Sequence, residues 1–380
     1  MTPPFSNAEK FLLVARQVCF VLWYIPVALL HSSLVAWDRG LPLRLFLICG
    51  VFNVVLAVLR PREIQFLCTS TQETYRAWMR RNTSKKEIAG AFPSQLSLDI
   101  EPLGGGASLL WVGDRRTAKK VVLFFHGGGF ITPLLPGHME ICWRACVGAG
   151  TESGTEVAVA ILEYTLYPAA TYPTQLRQAS SGLSHLLSSG FLPQDIIIGG
   201  DSAGGKLTAQ LLCHVVRSHP ELVPIHLDSP LAATFLISPW LSRYTDDQSY
   251  AENGSIDMIS SKSVGEMVRR LCGDPHEMKS EKSELASRAF PLDMEVPCFE
   301  GLGVATRQMY VTVGYHEVFR EQCMSYVRQV RRFNPEMKVQ FDVQEKFAHD
   351  FLLLEGLEER SGECMLAMKE WMKSLLMEDV

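Results

Sequence analysis

A serine stands between glycines at residues 200–205, in the string Gly-Asp-Ser-Ala-Gly-Gly. The embedded Gly-x-Ser-x-Gly pattern is typical of a tight strand-to-helix turn that exposes a serine hydroxyl for nucleophilic attack. The apolar residues 195–199 before it predict a buried strand, and residues 206–212 after it predict a helix. The motif therefore has the context that this turn requires, and it predicts Ser202 as the nucleophile of an acyl-transfer reaction.

A second glycine-rich string, His-Gly-Gly-Gly-Phe at residues 126–130, follows apolar residues that also predict a buried strand. Glycines leave backbone N–H groups free to point at a negatively charged oxygen. We expect the amides of Gly127, Gly128 and Ala203 to stabilise the oxyanion of a tetrahedral intermediate. The alternative is an ordinary glycine-rich turn, which does not account for the position of this string about 75 residues before the serine.

Two downstream residues complete a catalytic triad in the chain order serine, acid, histidine. Glu317 follows a predicted strand at residues 309–314, at the end where parallel sheets collect catalytic groups. His349 follows a further predicted strand and would act as the general base, with its imidazole oriented by Glu317. Glu321 and Asp350 are alternative acids, and the usual fate of any one of the ten histidines is a surface or core position.

Together these motifs resemble the hormone-sensitive-lipase group of α/β-hydrolases, in particular the branch of the arylacetamide deacetylases and fungal steryl acetyl hydrolases. The resemblance extends from about residue 119 to residue 351 and includes both glycine-rich strings. In that family the acid lies in a Gly-x-x-acid-x-Leu-Arg-acid stretch. Residues 314–321 fit it with Glu for the commoner Asp and Phe for Leu, and this register selects Glu317 over Glu321.

The resemblance implies an α/β-hydrolase fold, with a mostly parallel central sheet flanked by helices and a helical cap. Residues 349–351 resemble the family's histidine loop. Residues 238–240 resemble the end of the strand that follows the elbow helix, which is the helix that begins at the strand-to-helix turn (the elbow) around Ser202. One departure is that Thr165 and Ala169 stand where the family usually has Arg and an acidic residue. Binding-only relatives of the plant hormone-receptor kind lack the histidine, whereas this chain keeps every triad and oxyanion residue.

Composition excludes some classes of function. The 380 residues include 36 Lys and Arg against 41 Asp and Glu, so a net charge of -5 gives no basic surface for nucleic acid. The ten cysteines show no metal-ligand spacing and no dense disulfide pattern, although one or two bridges are compatible with the sequence. We therefore expect neither a metal nor a cofactor, and the length predicts one catalytic domain with an extension.

The extension lies at the N-terminus, where residues 18–37 are almost continuously apolar and residues 45–59 are apolar again. About 20 apolar residues span a bilayer as a helix, so we expect residues 1–62 to anchor the chain in a membrane, with the endoplasmic reticulum as the expected location. Lys10 and Arg16 lie well inside the chain and disfavour a cleaved signal peptide. The alternatives are two cap helices packed over the site, or a re-entrant hairpin.

We assign residues 63–380 to the hydrolase domain and expect its cap to come from residues 63–100 and 241–291. Apolar side chains recur at helical spacing in both segments. They are Ile64, Leu67, Tyr75 and Trp78 in the first segment and Val264, Met267, Val268 and Leu271 in the second. The ordinary role of such faces is packing, but an apolar cap that lines the site would select a hydrophobic ester.

The sequence thus predicts a serine carboxylic ester hydrolase that removes short acyl groups from apolar alcohols, such as sterol, terpenoid or aromatic esters. Its partners would be the ester and a membrane. One alternative is an enzyme of specialised metabolism that deacylates or carries out a non-hydrolytic ring-forming step, and another is a membrane-tethered binding protein. Glycosylation sequons begin at Asn82 and Asn253 and matter only if the domain faces a lumen.

Overall fold

A mostly parallel sheet forms the centre of the chain. The computed structural model describes residues 6–83, 96–272, 288–294 and 298–378. Its strands are β1 (Ile100–Gly104), β2 (Ala107–Val112), β3 (Lys120–Phe125), β4 (Val157–Glu163), β5 (Ile196–Asp201), β6 (Ala233–Ile237), β7 (Gln308–Gly314) and β8 (Lys338–Gln344). They pair in the order β1-β2-β4-β3-β5-β6-β7-β8. The β1–β2 and β2–β4 pairs are antiparallel, and all the other pairs are parallel.

Helices connect and cover these strands. They are α1 (Asn7–Cys19), α2 (Ile25–Asp38), α3 (Leu43–Val58), α4 (Pro61–Leu67), α5 (Thr71–Thr83), α6 (Pro136–Glu140), α7 (Gly148–Ser153), α8 (Thr174–Ser188), α9 (Ser202–Val216), α10 (Gln248–Asn253), α11 (Ser261–Cys272), α12 (Leu302–Ala305), α13 (Arg320–Phe333), α14 (Phe351–Leu357) and α15 (Glu363–Glu378). The π-helical segments Phe20–Tyr24 and Ile141–Val147 join α1 to α2 and α6 to α7. The strands and the elbow helix predicted around the motifs are all present.

The two faces of the sheet bury two apolar clusters, because successive side chains of a strand point to opposite faces. In β3, Val121, Leu123 and Phe125 pack with α8, α9 and α13 on one face. Val122 and Phe124 pack with α15 and the helices around residues 136–153 on the other face. Burial on both faces explains why the parallel strands read as continuous apolar runs in the sequence.

Within the first predicted cap segment, α5 packs against the strands of the sheet. In α5, the Tyr75 hydroxyl donates a hydrogen bond to the carbonyl of Trp111 in β2 at 2.7 Å and accepts the N–H of Asp99 at 3.1 Å. Trp78 donates its indole N–H to the Glu140 carboxylate at 2.7 Å. The cap contribution of residues 63–100 therefore remains a prediction. α5 is bonded to the strands, β1 begins within the same range, and residues 84–95 lie outside the described residues.

The helical spacing of Ile64, Leu67, Tyr75 and Trp78 predicts one helix, but the structure has two helices there, α4 and α5. α4 ends at Leu67, which is 50% exposed, and α5 begins after Ser70. The Ser70 hydroxyl accepts the N–H of Glu73 at 3.3 Å, and the Glu73 carboxylate accepts the N–H of Ser70 at 3.0 Å. This capping box, visible in the sequence as Ser-Thr-Gln-Glu, starts a new helix and separates Leu67 from the buried face.

The N-terminal region forms a helical hairpin. The helical segments from Asn7 to Asp38 are continuous over 32 residues, and among the described residues this is the one helix long and apolar enough to cross a membrane. Only 12% of its most apolar 18-residue window is buried. α3 is shorter and packs back against α2, where Gly50 lies so close to Ser32 that a side chain would collide with its hydroxyl.

Two smaller features bear on the cysteines and sequons. Cys213 of α9 forms a disulfide with Cys298, consistent with the one or two bridges that the sequence allows. Asn253 is buried, and its side-chain amide donates to the carbonyl of Glu317 at 3.1 Å, so this sequon is inaccessible to a glycan in the folded chain. Asn82 lies on α5, but its sequon runs into residue 84, outside the described residues.

Replacing Tyr75 by Phe tests the packing of α5 on the sheet. The variant leaves the buried Trp111 carbonyl without its donor and the Asp99 N–H without its acceptor. We expect a free energy of unfolding lower by about 1 to 3 kcal/mol, measured by urea denaturation. Tyr244→Phe, at a position that is 55% exposed, is the matched control and should leave the midpoint in place. An unchanged midpoint for Tyr75→Phe would contradict this packing.

Candidate active site

The serine of the elbow lies at the junction of β5 and α9. β5 ends at Asp201, α9 begins at Ser202, and Ser202 has a φ of +49°, in the left-handed region that residues with a Cβ rarely adopt. Side chains at Gly200 and Gly204 would both collide with the carbonyl of Phe125 in β3. The glycines on either side are therefore required for β3 to run close beside the turn.

His349 lies within hydrogen-bonding distance of Ser202. Its Nε2 lies 2.8 Å from Ser202 Oγ, although the two residues are 147 positions apart in the chain. The imidazole is buried, and the ring of Phe319 stands edge-on to it with centroids 5.0 Å apart. The structure thus brings the predicted nucleophile and base to hydrogen-bonding distance.

Glu317 completes the group. Its Oε1 lies 3.7 Å from His349 Nδ1, longer than a hydrogen bond, so the two side chains interact electrostatically across this gap. Its Oε2 accepts the Ser238 hydroxyl at 2.6 Å and the N–H of Gly314 at 2.9 Å. Ser238 therefore fixes the carboxylate, a role that sequence analysis missed, although its place directly after a predicted strand was a usable signal.

The alternative acids occupy other environments. Glu321 accepts the N–H of Ser249 at 2.6 Å and pairs with Arg320 at 2.9 Å, away from the imidazole. Asp350 faces Asp201. The register that selected Glu317 from the sequence agrees with the geometry.

Charge around His349 favours the imidazolium. Burial lowers the pKa of His349, but the negative charges of Glu317, Asp257 and Asp201 together outweigh burial, so the pKa of His349 is raised above its ordinary value. A base of raised pKa next to a serine hydroxyl is suited to accept its proton.

The glycine-rich loop borders the same cavity. Gly128 has a φ of +100°, which a residue with a side chain rarely adopts, and it lines the cavity with Gly129 and Ser202. Gly127 packs against Asp201, whose carboxylate a side chain at this position would meet. Ala203 is buried in the first turn of α9, where backbone N–H groups have no intrahelical acceptor.

The loop is held by aromatic packing. The ring of His126 stacks on Tyr164 with centroids 4.5 Å apart, and the Tyr164 hydroxyl donates to the His126 carbonyl at 2.7 Å. Burial lowers the pKa of His126 to about 3, with the nearby His138 acting in the same direction, so the ring is neutral at physiological pH. His126 therefore supports the loop and brings no charge to the site.

A buried polar cluster lies beside the triad. His138, Asp201 and Asp350 place their side-chain N and O atoms within 4.8 Å of one another, which are the residue types and spacing of a metal site. His138 Nδ1 accepts the N–H of Leu135 at 3.0 Å, so its Nε2 carries the proton and donates to Asp201 at 3.1 Å. These hydrogen bonds already occupy the ligand atoms of the histidine and of one Asp201 oxygen.

Protonation completes this cluster. Burial raises the pKa of Asp350 well above its usual value, and the charge of Asp201 adds to the rise. Burial acts in the same direction on Asp201, but the contact with His138 outweighs it and lowers the pKa of Asp201. The two carboxyl groups therefore carry about one negative charge between them: Asp201 is ionised, and Asp350 holds the proton. No spacing in the sequence predicts this cluster, since its members come from three distant segments.

A narrow cavity with a volume of about 70 Å³ lies above Ser202. Its lining is largely apolar and comes from several segments. The members are Phe52, Leu56, Gly128, Gly129, Ile131, Thr132, Leu135, His138, Ser202, Trp240, Met258, Ile259, Met267, Phe319, His349, Asp350 and Leu353. Residues 258–267 lie in the second predicted cap segment, whose residues 273–287 are outside the described residues. Phe52 and Leu56 belong to α3, so part of the extension predicted as an anchor also forms the cap.

The departure at Thr165 is compensated locally. The side-chain carbonyl of Gln178 accepts the N–H of Thr165 at 2.8 Å, and its amide donates to the Thr165 hydroxyl at the same distance. Gln175 donates to the carbonyl of Thr165 at 2.9 Å. Two glutamines of α8 therefore hold this loop without the Arg and acid of the family pattern.

Comparison with known proteins agrees with this geometry. A family model described as alpha/beta hydrolase fold matches residues 122–353, more than half of the chain. The chain is 27% identical to an esterase of Acinetobacter venetianus over 176 residues, which cover 46% of this chain and 54% of the esterase. It is 28% identical to human arylacetamide deacetylase-like 3 over 110 residues, 28% of this chain and 25% of that protein. The chain thus spans about half or less of the length of these curated relatives.

The solved structures show the fold. A thermostable esterase from Pseudomonas putida superposes with a TM-score of 0.64 at 18% identity, over 85% of this chain and 91% of the esterase. At that identity the likeness concerns architecture alone. The α/β-hydrolase fold predicted from the sequence is confirmed, and this chain belongs to the alpha/beta hydrolase family.

Proposed function

We propose that the chain is a serine carboxylic ester hydrolase with the triad Ser202, His349 and Glu317. The observation that carries this proposal is the 2.8 Å contact between Ser202 Oγ, in the strained elbow, and His349 Nε2, at the floor of an apolar cavity. A serine hydroxyl paired with a buried base and an acid is the arrangement that activates serine for attack on an acyl carbon. Relatives named as esterases and deacetylase-like proteins support the same chemistry.

In the proposed reaction, His349 Nε2 takes the Ser202 proton as Oγ attacks the ester carbonyl. The imidazolium that forms is stabilised by Glu317, which needs the Nδ1 proton of His349 to point toward Oε1. The amides of Gly127, Gly128 and Ala203 would stabilise the oxyanion, and each such donor is worth about 3 to 4 kcal/mol in the transition state. His349 then protonates the leaving alcohol, and water repeats the cycle on the acyl-enzyme. Neither a metal nor a cofactor enters this scheme.

The cavity supports an apolar substrate. Its walls are aliphatic, thioether and aromatic side chains, including Phe52, Met258, Met267 and Phe319, and its titratable members belong to the catalytic and buried clusters. Such a lining favours an ester of an apolar alcohol over a charged one. We propose a short acyl group and an alcohol of sterol, terpenoid or aromatic type, as in the deacetylase branch that the motifs resemble.

We also propose that the N-terminal hairpin binds a membrane. The helix from Asn7 to Asp38 exposes a row of large apolar side chains to solvent. They include Phe11, Leu12, Val18, Leu22, Trp23, Val27, Leu30, Leu34 and Trp37. A surface of this kind is stable when it is covered by lipid. The Cys213–Cys298 disulfide supports a catalytic domain in an oxidising compartment, such as the lumen of the endoplasmic reticulum.

Hydrolysis of p-nitrophenyl esters of increasing acyl length tests the enzymatic proposal. Detergent-solubilised protein should cleave the acetate and butyrate faster than longer esters, and Ser202→Ala should lower kcat by about 10⁶-fold. Ser180→Ala, a buried serine of α8 outside the site, is the control and should retain its rate. Equal rates for wild type and Ser202→Ala would refute the serine mechanism.

Glu317→Gln tests the role of the acid. The Glu317 charge raises the pKa of His349, so its removal lowers that pKa and keeps the imidazole in its basic form to lower pH. We expect the acid limb of kcat/KM to move to lower pH and kcat to fall by about 10⁴-fold, less than the about 10⁶-fold loss in His349→Ala. Glu321→Gln should leave the limb in place. If the acid limb of kcat/KM moves in Glu321→Gln and not in Glu317→Gln, Glu321 is the acid of the triad.

Flotation with phosphatidylcholine vesicles tests the membrane proposal. Leu22, Leu30 and Leu34 are each more than 60% exposed on the N-terminal helix. Changing all three to Glu places charges in the predicted lipid contact, so the variant should remain at the bottom of the gradient while wild type floats. Val223→Glu, in an exposed position outside the hairpin, should float like wild type. Flotation of the triple variant would exclude this face as the anchor.

A further inference from the structure

One buried carboxylate of the cap contacts the backbone beside two members of the triad. Asp257, between α10 and α11, is fully buried. Its Oδ1 accepts the N–H of His349 at 3.0 Å, and its Oδ2 accepts the N–H of Val318, the residue directly after Glu317, at 2.8 Å. Oδ1 also accepts the N–H of Met258 at 2.7 Å. His349 and Val318 lie 92 and 61 residues after Asp257 in the chain, and Met258 follows it directly.

We propose that Asp257 is a positioning residue of the hydrolase site, whose carboxylate sets the separation of Glu317 from His349 by holding the main chain of both segments. The inference rests on the proposed serine hydrolase function and explains how the cap and the triad are joined. Neither Gly-x-Ser-x-Gly nor the acid and histidine patterns include this residue.

The geometry calls for two acceptor oxygens. Three backbone N–H groups converge on the Asp257 carboxylate, and an ionised carboxylate can accept hydrogen bonds at both oxygens. An asparagine offers one acceptor and would place its NH₂ group against one of the amides. Leaving a buried amide unmatched costs about 1 to 3 kcal/mol, and relief of that cost moves the loop.

The triad is sensitive to such movement. Glu317 and His349 are 3.7 Å apart, and no direct hydrogen bond between their side chains holds them at that distance. Their separation is therefore set by the backbone segments that carry them. Asp257 bonds to both segments through the N–H groups of Val318 and His349. Ser238 also joins them, since its hydroxyl donates to Glu317 and accepts the N–H of Asp350 at 3.1 Å. Small displacements of reacting groups can lower a rate by about 100-fold.

The cap loop that carries Asp257 is fastened to the N-terminal hairpin. Asn53 of α3 donates its side-chain amide to the carbonyl of Asp257 at 2.8 Å and to that of Gly254 at 3.3 Å. α3 in turn lines the cavity through Phe52 and Leu56. The hairpin that we propose as the membrane contact thus supports the loop that positions the acid and the base.

Several titratable groups interact with Asp257. Burial raises the pKa of Asp257 to about 7; a positive charge on His349 opposes this rise, and the charge of Glu317 adds to it. Asp350 beside His349, Tyr250 of α10 and Cys49 of α3 are the other titratable groups that sense Asp257. The ionised form accepts all three amides, so protonation near neutral pH would release one of them.

The test compares two carboxylates with buried side chains, one in the cap and one just after it, in the full-length, detergent-solubilised chain. Asp257→Asn removes the positioning charge. Asp293→Asn is the matched control, because the Asp293 carboxylate accepts the Ser242 hydroxyl at 2.7 Å and the N–H of Arg243 at 2.8 Å, away from both triad loops. We measure kcat and KM for p-nitrophenyl acetate, the rate of Ser202 labelling by a fluorophosphonate, and the thermal midpoint.

We expect kcat and the labelling rate of Asp257→Asn to fall by about 100-fold, with KM within about threefold of wild type. Its acid limb of kcat/KM should move to lower pH, since the charge of Asp257 raises the pKa of His349. Asp293→Asn should keep both rates within about threefold. Wild-type rates in Asp257→Asn, or an equal loss in Asp293→Asn, would overturn the proposal.

A milder variant covers the case in which Asp257→Asn does not fold. Asn53→Ala keeps the carboxylate and removes only the fastening of its loop to α3, and we expect its kcat to fall by about fivefold, within the range of one lost hydrogen bond. An unchanged kcat in a folded Asn53→Ala protein would count against the proposal. Failure of the proposed function itself is distinct, because wild type would then show neither serine-dependent hydrolysis nor labelling of Ser202.

Discussion

The hydrogen-bond contact between Ser202 and His349 is the constraint on which the rest of the structure depends. It joins the end of β5 to a loop beyond β8. The strands β3 to β8, which pair in parallel, must therefore present their carboxyl ends at one edge of the sheet. The strained φ of Ser202 raises the hydroxyl above that edge, and the glycines on either side allow β3 to lie close beneath it. Polar support around the pair then fixes Glu317 through Ser238 and the imidazole through its buried surroundings.

The cap connects this edge to the N-terminal hairpin. α3 presents Phe52 and Leu56 to the cavity and Asn53 to the cap loop, while its partner helix exposes an apolar face to the surroundings. If the hairpin binds a membrane as proposed, an ester dissolved in the bilayer would meet the hairpin whose α3 lines the cavity. We propose that membrane binding, substrate selection and triad geometry all depend on this hairpin. Asp257 joins the cap to both catalytic loops, and Asn253 and Ser249 add bonds from the cap to the acid loop.

Local signals in the sequence predicted much of the site. The two glycine strings predicted Ser202 and Gly128, because each motif constrains its own backbone. Glu317 was selected over Glu321 by the resemblance of residues 314–321 to the family's acid stretch. Long-range features were not predictable in the same way. The capping box at Ser70 was overlooked, so α4 and α5 were predicted as one helix. The burial of Asn253 and the convergence of three amides on Asp257 depend on segments far apart in the chain. The apolar run of α3 indicated burial in lipid or protein alike, and only its packing shows its place in the cavity wall.

Mapping the site of covalent modification tests the central claim most directly. Diethyl p-nitrophenyl phosphate reacts with an activated serine to leave a diethyl phosphoryl group, which mass spectrometry of the digested chain can locate. Our account predicts one adduct per chain, on Ser202, and no adduct when His349 is replaced by Ala. Modification of another residue, or an unmodified Ser202 in folded protein, would contradict the proposed serine hydrolase mechanism.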